Sequence, residues 1–366
     1  SYEQFYQAIR RCWRFGQRNP VNVHVVIGEK ERPILDNVSR KEKDAERLWE
    51  GVVSVMQGGV GDVMKKHVAE YAETSATGSG WEIIHGDCVE AVGKMPDESV
   101  HFSVFSPPFA SLYTYSDSER DMGNSKTYDE FEHHFKFLIR ELYRVIKPGR
   151  NISIHCMNLP LSKQSYGEIA IRDFRGDIIR WFQGAGFVFH SEVCIWKDPV
   201  IGMQRTKALG LLWKQLRKDS TMSRQGVPDY LVTMRKPGAN PEPVTHTKES
   251  FPVDQWQKWA SPVWDDINPS DTLQYMSARD DADERHICPL QLQVIERAIR
   301  LWSNPGDTVL TPFAGIGSEV YQAVKFGRRG IGVELKKSYF DLAVRNLMTL
   351  EEASKQIGLF DGESTA

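Results

Sequence analysis

Short apolar segments alternate with helical stretches from residue 81 onward, and this alternation constrains the fold more than any other feature of the sequence. The segments WEIIH, VHFSVF and NISIHCM have the length and apolar character of buried strands, and a long helical run ends at Val145. This order predicts an α/β fold, a doubly wound Rossmann-like sheet with helices on both faces.

The last part of the sequence repeats the pattern around a glycine-rich turn. A helix at residues 291–302 precedes a strand at 308–310, the turn TPFAGIGS, another helix, and a strand that ends at Glu334. Glycines between a strand and a helix let a ligand approach the backbone. A carboxylate about 20 residues further on is placed to accept hydrogen bonds from ribose hydroxyls. The pattern predicts a nucleotide-binding unit and leaves the nucleotide open.

A proline-rich loop, Ser106-Pro107-Pro108-Phe109, follows the strand that ends at Phe105. Proline stiffens the backbone and removes N–H donors, which leaves carbonyl oxygens as acceptors. Such acceptors suit the exocyclic amine of a nucleobase, because holding its hydrogens restores electron density to a nitrogen whose lone pair is delocalised. Ser106 and the Pro107 carbonyl are the candidate acceptors, and Phe109 is a candidate to stack on a base rotated out of the duplex.

Together these motifs resemble the amino-group DNA methyltransferases, in which a [DNS]PP[YF] loop marks the catalytic site and an FxGxG loop the cofactor site. The order of the loops, catalytic loop first, is similar to the class called beta, and the resemblance covers roughly residues 81–350. It implies S-adenosylmethionine as the methyl donor and double-stranded DNA with a flipped base as the substrate. Serine at the first loop position implies N4 of cytosine, with N6 of adenine as the alternative.

The resemblance also implies a set of site residues and no metal. Asp87 matches an acid near the adenine of the cofactor, and residues 286–291 stand where the family carries a segment beside the methionine moiety. The chain departs from the family at Ile287 and at Thr311, where the family usually has proline and aspartate. The catalytic residues are Ser106, Pro107, Pro108 and Phe109. The cofactor-binding residues are Asp87, His286, Pro289, Thr311, Phe313, Gly315, Gly317, Ser318 and Glu334.

The rest of the sequence divides into an N-terminal appendage and a tail. Residues 1–74 are predicted to be a helicase-like C-terminal remnant and a helical linker, because QAIRRCWRFGQ resembles the last motif of Swi/Snf-type ATPases and no GxxxxGK[ST] phosphate loop occurs. The stretch SATGSG predicts a flexible joint. Residues 81–355 are predicted to form the methyltransferase domain, and residues 356–366 a tail.

Residues 196–285 are irregular in pattern and are predicted to contact DNA and recognise the target. Their cations are interleaved with Trp196 and Trp213, a mixture suited to phosphates and unpaired bases. The cations are Lys197, Arg205, Lys207, Lys214, Arg217, Lys218 and Arg224.

Composition limits the remaining classes of protein. The formal net charge of -3 neither supports nor excludes a nucleic acid partner, and the five scattered cysteines predict neither disulfides nor a zinc site. Without an apolar run of membrane-spanning length or a secretory signal pattern, a cytoplasmic location and no membrane partner are expected. Ring-carbon methylation of cytosine needs a thiolate in a Pro-Cys loop, and the sequence has no Pro-Cys pair.

Several alternatives stay open at this point. The altered segment at 286–291 favours a catalytically idle DNA-binding subunit with the same fold. The glycine turn and Glu334 alone would also suit an NAD-type oxidoreductase, which the proline-rich loop argues against. A homodimer, or cooperation with an upstream or separate helicase-like motor, is a further expectation about partners.

Overall fold

The computed structural model of the chain describes residues 74–108, 122, 125, 127–161, 163–200, 202, 212–274 and 289–362. The predicted helicase-like remnant with its linker, the aromatic Phe109 and the imidazole of His286 therefore lie outside the described residues.

The strands and helices are numbered in chain order over the described residues. The strands are β1 (Thr74–Gly78), β2 (Trp81–His85), β3 (Phe102–Phe105), β4 (Asn151–Met157), β5 (Leu159–Leu161), β6 (Ala170–Arg172), β7 (Val188–Ile195), β8 (Asp229–Arg235), β9 (Val263–Trp264), β10 (Thr308–Thr311) and β11 (Arg329–Glu334). The helices are α1 (Cys88–Gly93), α2 (Tyr128–Val145), α3 (Lys163–Tyr166), α4 (Phe174–Gly184), α5 (Trp213–Lys218), α6 (Val253–Trp259), α7 (Leu292–Trp302), α8 (Ser318–Lys325) and α9 (Lys337–Gly362).

A mixed sheet with the strand order β1-β2-β11-β10-β3-β4-β8-β7-β9 forms the centre of the described structure. The strands from β2 to β4 in this order are all parallel. Strand β1 pairs antiparallel with β2, and β8 pairs antiparallel with both β4 and β7. The carboxyl ends of five parallel strands consequently lie along one edge of the sheet, which is where ligands bind in open α/β folds.

Helices cover both faces of this sheet, which confirms the predicted fold class. Phe102 and Val104 on β3 belong to an apolar cluster with Ile299 of α7. Phe105, one residue further on, belongs to the cluster on the opposite face together with Phe131 of α2. The alternation follows from the two-residue period of a strand, which directs successive side chains to opposite faces.

Strand β8 corrects one prediction. The sequence predicts an irregular region over residues 196–285, yet residues 229–235 form a buried strand in the interior of the sheet. Leu231 belongs to the cluster on one face and Val232 to the cluster on the other, so the segment has the period of a strand buried on both sides. Charged and proline-rich neighbours in the sequence hide this short pattern.

Strand β1 corrects another. The predicted flexible joint at residues 75–80 is instead the edge strand of a hairpin with β2. Ser79 and Gly80 form its two-residue turn, and Gly80 has a φ of +80°, a left-handed conformation that glycine adopts without strain. Ala76 packs against the cluster that contains Trp81 and Ile83. Among the helices described, none has both the length and the apolar character of a membrane span.

Candidate active site

Most of the predicted site residues lie at the carboxyl edge of the parallel strands. Asp87 follows β2, Ser106 follows β3, the glycine turn follows β10, and Glu334 ends β11. Because β3 and β10 are neighbours in the sheet, the proline-rich loop and the glycine turn are adjacent. The ring centroids of Phe105 and Phe313 are 5.7 Å apart across this junction.

The glycine turn has the geometry for close approach of a ligand to its backbone. Gly315 and Gly317 have φ values of +53° and +88°, and a Cβ atom on Gly315 would meet nothing within 4 Å. Thr311 and Ser318 flank the turn and are buried, and their hydroxyl oxygens have no hydrogen-bond partner among the described residues. Buried polar atoms are normally paired, so these two hydroxyls are suited to a bound molecule.

Two acidic side chains hold the backbone next to this turn. Oε2 of Glu334 accepts a hydrogen bond from the Gly315 N–H at 2.7 Å, and its Oε1 accepts one from the Lys336 N–H at 2.8 Å. Oδ1 of Asp87 accepts hydrogen bonds from two backbone N–H groups in the first turn of α1, at 2.9 and 3.0 Å. Carboxylate oxygens can accept several hydrogen bonds, so both contacts are compatible with recognition of a ribose or an adenine.

A third acid, Glu319, is buried in the first turn of α8. Burial, with a smaller contribution from the charge of Glu334, raises the pKa of Glu319 to about 8. Glu319 is therefore a neutral carboxylic acid near pH 7.

The hydroxyl of Ser106 begins a chain of polar contacts that reaches across the sheet. Its Oγ lies 2.8 Å from Nδ1 of His155 on β4, and Nε2 of His155 lies 2.9 Å from Oδ2 of Asp229, the first residue of β8. The ammonium of Lys197, just beyond the end of β7, forms an ion pair with the same carboxylate oxygen.

For a neutral imidazole at position 155, the carboxylate of Asp229 sets the direction of both hydrogen bonds. Burial disfavours the charge of Asp229, but Lys197 and His155 outweigh burial and hold the pKa of Asp229 below its ordinary value. An ionised carboxylate only accepts hydrogen bonds, so Nε2 of His155 carries the hydrogen and donates it. Nδ1 of the neutral imidazole then accepts the hydrogen bond that the Ser106 hydroxyl donates.

The other predicted residues lie close to these groups or outside the described residues. Pro107 is buried and Pro108 half-buried, both directly after Ser106. Pro289 is half-buried at the start of α7. Phe313 also stacks on Phe135 of α2, with ring centroids 6.4 Å apart.

Two functional candidates, His155 and Asp229, are absent from the sequence prediction. Their signal is a polar residue in an otherwise apolar strand, because His155 lies within NISIHCM and Asp229 begins DYLVTMR, and both are buried. Lys197 is predicted from the sequence to contact phosphate, but its ammonium is paired with Asp229. That ion pair places Lys197 at the far end of the chain of polar contacts that begins at Ser106.

An exposed basic helix, α5, lies in the predicted DNA-contacting region. Lys214, Arg217 and Lys218 are exposed, and Trp213 at its start is 72% exposed. Trp196, after β7, is also exposed.

Among the described residues, one group has the geometry to hold a metal ion: His101, Glu242 and Asp307. It lies at the amino edge of the sheet, away from the glycine turn, and its carboxylates are already paired with Lys147 and Arg150.

The doubly wound sheet, its glycine turn with an acidic residue on the next strand, and the adjacent Ser-Pro-Pro loop define a Rossmann-like S-adenosylmethionine-dependent methyltransferase. Residues 100–345 match the N6_N4_Mtase family, described as DNA methylase. The chain belongs to this family of DNA amino-methyltransferases, which act on N4 of cytosine or N6 of adenine.

Two curated DNA methyltransferases are similar to this chain in sequence. The Type II methyltransferase M.MjaI of Methanocaldococcus jannaschii is 25% identical over 284 residues, covering 70% of this chain and 88% of that protein. The DNA adenine methyltransferase YhdJ of Escherichia coli K12 is 25% identical over 271 residues, covering 72% and 82%.

Two solved structures are similar in fold. The Thermus thermophilus protein TTHA0409 in complex with S-adenosyl-L-methionine has a TM-score of 0.51 at 25% identity, covering 71% of this chain and 91% of that one. The cytosine-N4-specific PvuII DNA methyltransferase has a TM-score of 0.55 at 17% identity, covering 75% and 89%. S-adenosylmethionine is therefore the cofactor of this chain, and DNA is its substrate.

Proposed function

We propose that this chain transfers the methyl group of S-adenosylmethionine to the exocyclic N4 of a cytosine in double-stranded DNA, with the base rotated out of the helix. The observation that carries the proposal is Ser106 at the first position of the proline-rich loop, hydrogen bonded to His155 at the carboxyl edge of the sheet. The resemblance associates a serine at that position with cytosine. N6 of adenine is the second candidate, supported by the identity to the adenine methyltransferase YhdJ.

We assign the cofactor to the glycine turn and the strand ends beside it. When bound, it supplies a methyl group on a sulfonium centre. Glu334 would accept hydrogen bonds from its ribose, Asp87 would bind near its adenine, and the buried hydroxyls of Thr311 and Ser318 would bind its polar groups. The open space at Gly315 admits it to the backbone. The proposed set is completed by Phe313, Gly317, Pro289 and, outside the described residues, His286.

The proline-rich loop holds the amine for attack. Ser106 Oγ and the Pro107 carbonyl accept its two hydrogens, which returns electron density to the nitrogen, while Phe109 stacks on the flipped base. The bound cofactor would supply the methyl group to this nitrogen, and the electron pair of its C–S bond would stay on sulfur. The residues contribute position and electrostatics to this displacement.

DNA contact by residues 196–285 is supported by the described part of that region. Helix α5 carries three exposed cations and begins with the exposed Trp213. Such a surface suits phosphates and unpaired bases. A homodimer and a helicase-like motor stay predictions from the sequence.

The test is transfer of labelled methyl groups from S-adenosylmethionine to unmethylated duplex DNA, followed by digestion to nucleosides and mass spectrometry. We expect N4-methylcytosine from the wild type and loss of product in Ser106→Ala. Ser99→Ala is the matched control, because that exposed hydroxyl donates only to the nearby Pro96 carbonyl. Methyladenine would keep the enzyme class and overturn the choice of base. Cofactor binding without any methylated base would support the idle-subunit alternative.

A further inference from the structure

We propose that His155 accepts the proton of the reacting amine through Ser106, so that Ser106, His155 and Asp229 form a proton relay behind the methyl transfer. The relay rests on the proposed methyl transfer but holds for either base. Ser106 is the catalytic residue, because it contacts the substrate. His155 and Asp229 act through it and are positioning residues.

The geometry of the chain carries this proposal. A serine that only positions an amine needs no base behind it, yet Ser106 Oγ lies 2.8 Å from Nδ1 of an imidazole whose Nε2 lies 2.9 Å from the carboxylate of Asp229. Donating its hydrogen to Nδ1 polarises the Ser106 oxygen and makes it a stronger acceptor for the amine hydrogen. A hydroxyl, an imidazole and a carboxylate follow one another in the hydrogen-bond chain of serine hydrolases. The same three groups follow one another here, but the nucleophile is the amine and not the hydroxyl.

The proton balance is complete with the groups present. Attack on the methyl group leaves a positive charge on the nitrogen, and an N–H bond must then break. Its proton passes to Ser106 Oγ as the Ser106 hydroxyl proton passes to Nδ1 of His155. The product is a neutral methylated amine with an imidazolium, which returns its proton to solvent once the DNA has left.

An ionised carboxylate lies directly behind the imidazole that receives the proton. Asp229 directly contacts Nε2, and the ion pair with Lys197 helps hold Asp229 in its ionised form. The side chains of His155 and Asp229 are 9% and 2% exposed, so little bulk water competes with the relay for the proton.

One further charged pair lies on the elements packed beside the relay. Arg175 on α4 donates to both carboxylate oxygens of Glu192 on β7, at 2.9 and 2.6 Å. These opposite charges largely cancel at a distance. The hydrogen-bond partners of His155 among the described residues are Ser106 and Asp229, and Lys197 contacts Asp229.

The test compares proton acceptance with simple hydrogen bonding. His155→Asn places an amide oxygen near the position of Nδ1, where it still accepts a hydrogen bond from Ser106 but cannot take up a proton. Asp229→Asn keeps the shape and removes the charge that holds the tautomer. His190→Asn is the matched control, because Nδ1 of that exposed histidine also lies 2.9 Å from a serine hydroxyl, that of Ser191.

Single-turnover methyl transfer is measured across the pH range in which imidazole titrates, with the dissociation constant of S-adenosylmethionine measured alongside. The wild-type rate should fall towards acid pH, because a protonated His155 cannot accept the proton. His155→Asn should be slower by roughly 10²- to 10⁴-fold and should lose this acid limb, with cofactor binding unchanged. Asp229→Asn should also be slow, and His190→Asn should match the wild type.

A wild-type rate in His155→Asn, or a slow rate that keeps the wild-type acid limb, would overturn the relay and leave the methyl transfer intact. If His155→Asn does not bind the cofactor, Asp229→Asn decides, and an unchanged rate and pH profile there overturn the relay. Failure of the wild type to methylate either base would overturn the proposed function itself.

Discussion

A single buried acid affects how the site responds to pH. Glu319 lies in the helix turn that follows the glycine loop, and its pKa of about 8 means that the folded chain holds this proton well above the pH at which an exposed glutamate loses it. Because Glu319 is neutral, its side chain does not repel the carboxylate of Glu334.

Glu319→Gln should therefore gain stability relative to the wild type as pH rises. The folded chain keeps the Glu319 proton up to about pH 8, whereas the unfolded chain releases it near the ordinary value of 4.5. Stability of the wild type consequently falls between these two values, by up to about 1.4 kcal/mol per pH unit. Glutamine has no proton to lose. Thermal unfolding at a series of pH values measures the difference, with the exposed Glu352→Gln as control, and a difference independent of pH contradicts the assignment.

The sequence reveals site residues that belong to continuous motifs and misses those brought together by pairing of distant strands. Ser106 and Gly315 lie in short loops whose chemistry follows from their neighbours in the chain. His155 and Asp229 are 74 residues apart and meet through the pairing of β4 with β8. No local pattern specifies that pairing, since the intervening chain also supplies β7.

At the scale of elements, the contact between α8 and β11 depends on a glycine. A Cβ atom on Gly330 would lie 2.7 Å from Cγ1 of Val320 and 3.1 Å from its Cα. The helix backbone thus packs directly on the strand, which brings the glycine turn at the start of α8 close to Glu334.

Gly330→Ala should push α8 away from β11 and destabilise the chain by about 1–3 kcal/mol, as overpacking of a core does. Gly184→Ala is the matched control, because that exposed glycine in α4 has nothing within 4 Å of its Cβ position and alanine favours a helix. Urea unfolding should show opposite signs for the two variants. Equal stability of Gly330→Ala and the wild type would mean that α8 does not need to pack this closely on β11.

The exposed cations of helix α5 are predicted to bind DNA phosphates. The double variant Arg217→Ala with Lys218→Ala should bind duplex DNA more weakly, whatever the DNA sequence. The slope of log affinity against log salt concentration should fall in magnitude by about 0.9 for each phosphate that is no longer neutralised. Arg329→Ala is the control, since that exposed cation lies at the amino end of β11 and pairs with Glu82 at 3.5 Å. An unchanged slope in the double variant would mean that the DNA does not contact helix α5.

The predictable elements are short apolar strands next to clear turn signals and helices with a long apolar period. The sequence predicts β2, β3, β4, β10, β11, and the helices α2, α7 and α8 because each is bounded by turns and has a clear apolar period. Strand β1 is polar and is ordered by its partner β2, and β8 is missed because charged and proline-rich residues lie on either side of it in the sequence. Their structure comes from the sheet and not from their own propensity.

At the scale of the whole molecule, the two edges of the parallel strands have different chemistry. The carboxyl edge holds the glycine turn and the relay, and the amino edge holds a buried ion pair between Arg150 and Asp307. Arg150 also donates to the carbonyl oxygens of His101 and Glu242, at 3.0 and 2.6 Å. This network joins the starts of β3, β4 and β10.

Asp307→Ala should cost about 3–5 kcal/mol of stability, because it leaves the buried guanidinium of Arg150 without its counter-charge. Asp97→Ala should lower the stability by less than about 1 kcal/mol, because the carboxylate of Asp97 is exposed to solvent in its ion pair with Arg144. Chemical denaturation gives both values. The rate of methyl transfer per folded molecule should stay at the wild-type level in Asp307→Ala, and a large drop would mean that the two edges are not independent.

The ion pair of Lys197 with Asp229 also bears on how such a chain can diversify. Lys197 follows β7 and Asp229 begins its antiparallel neighbour β8, so residues 198–228 lie between these two residues in the sequence. The ion pair between Lys197 and Asp229 joins the two ends of this stretch, and it is part of the relay. We therefore expect that residues 198–228, which lie in the region proposed to contact DNA, can be exchanged for another sequence while Lys197, Asp229 and the contacts of the relay stay in place.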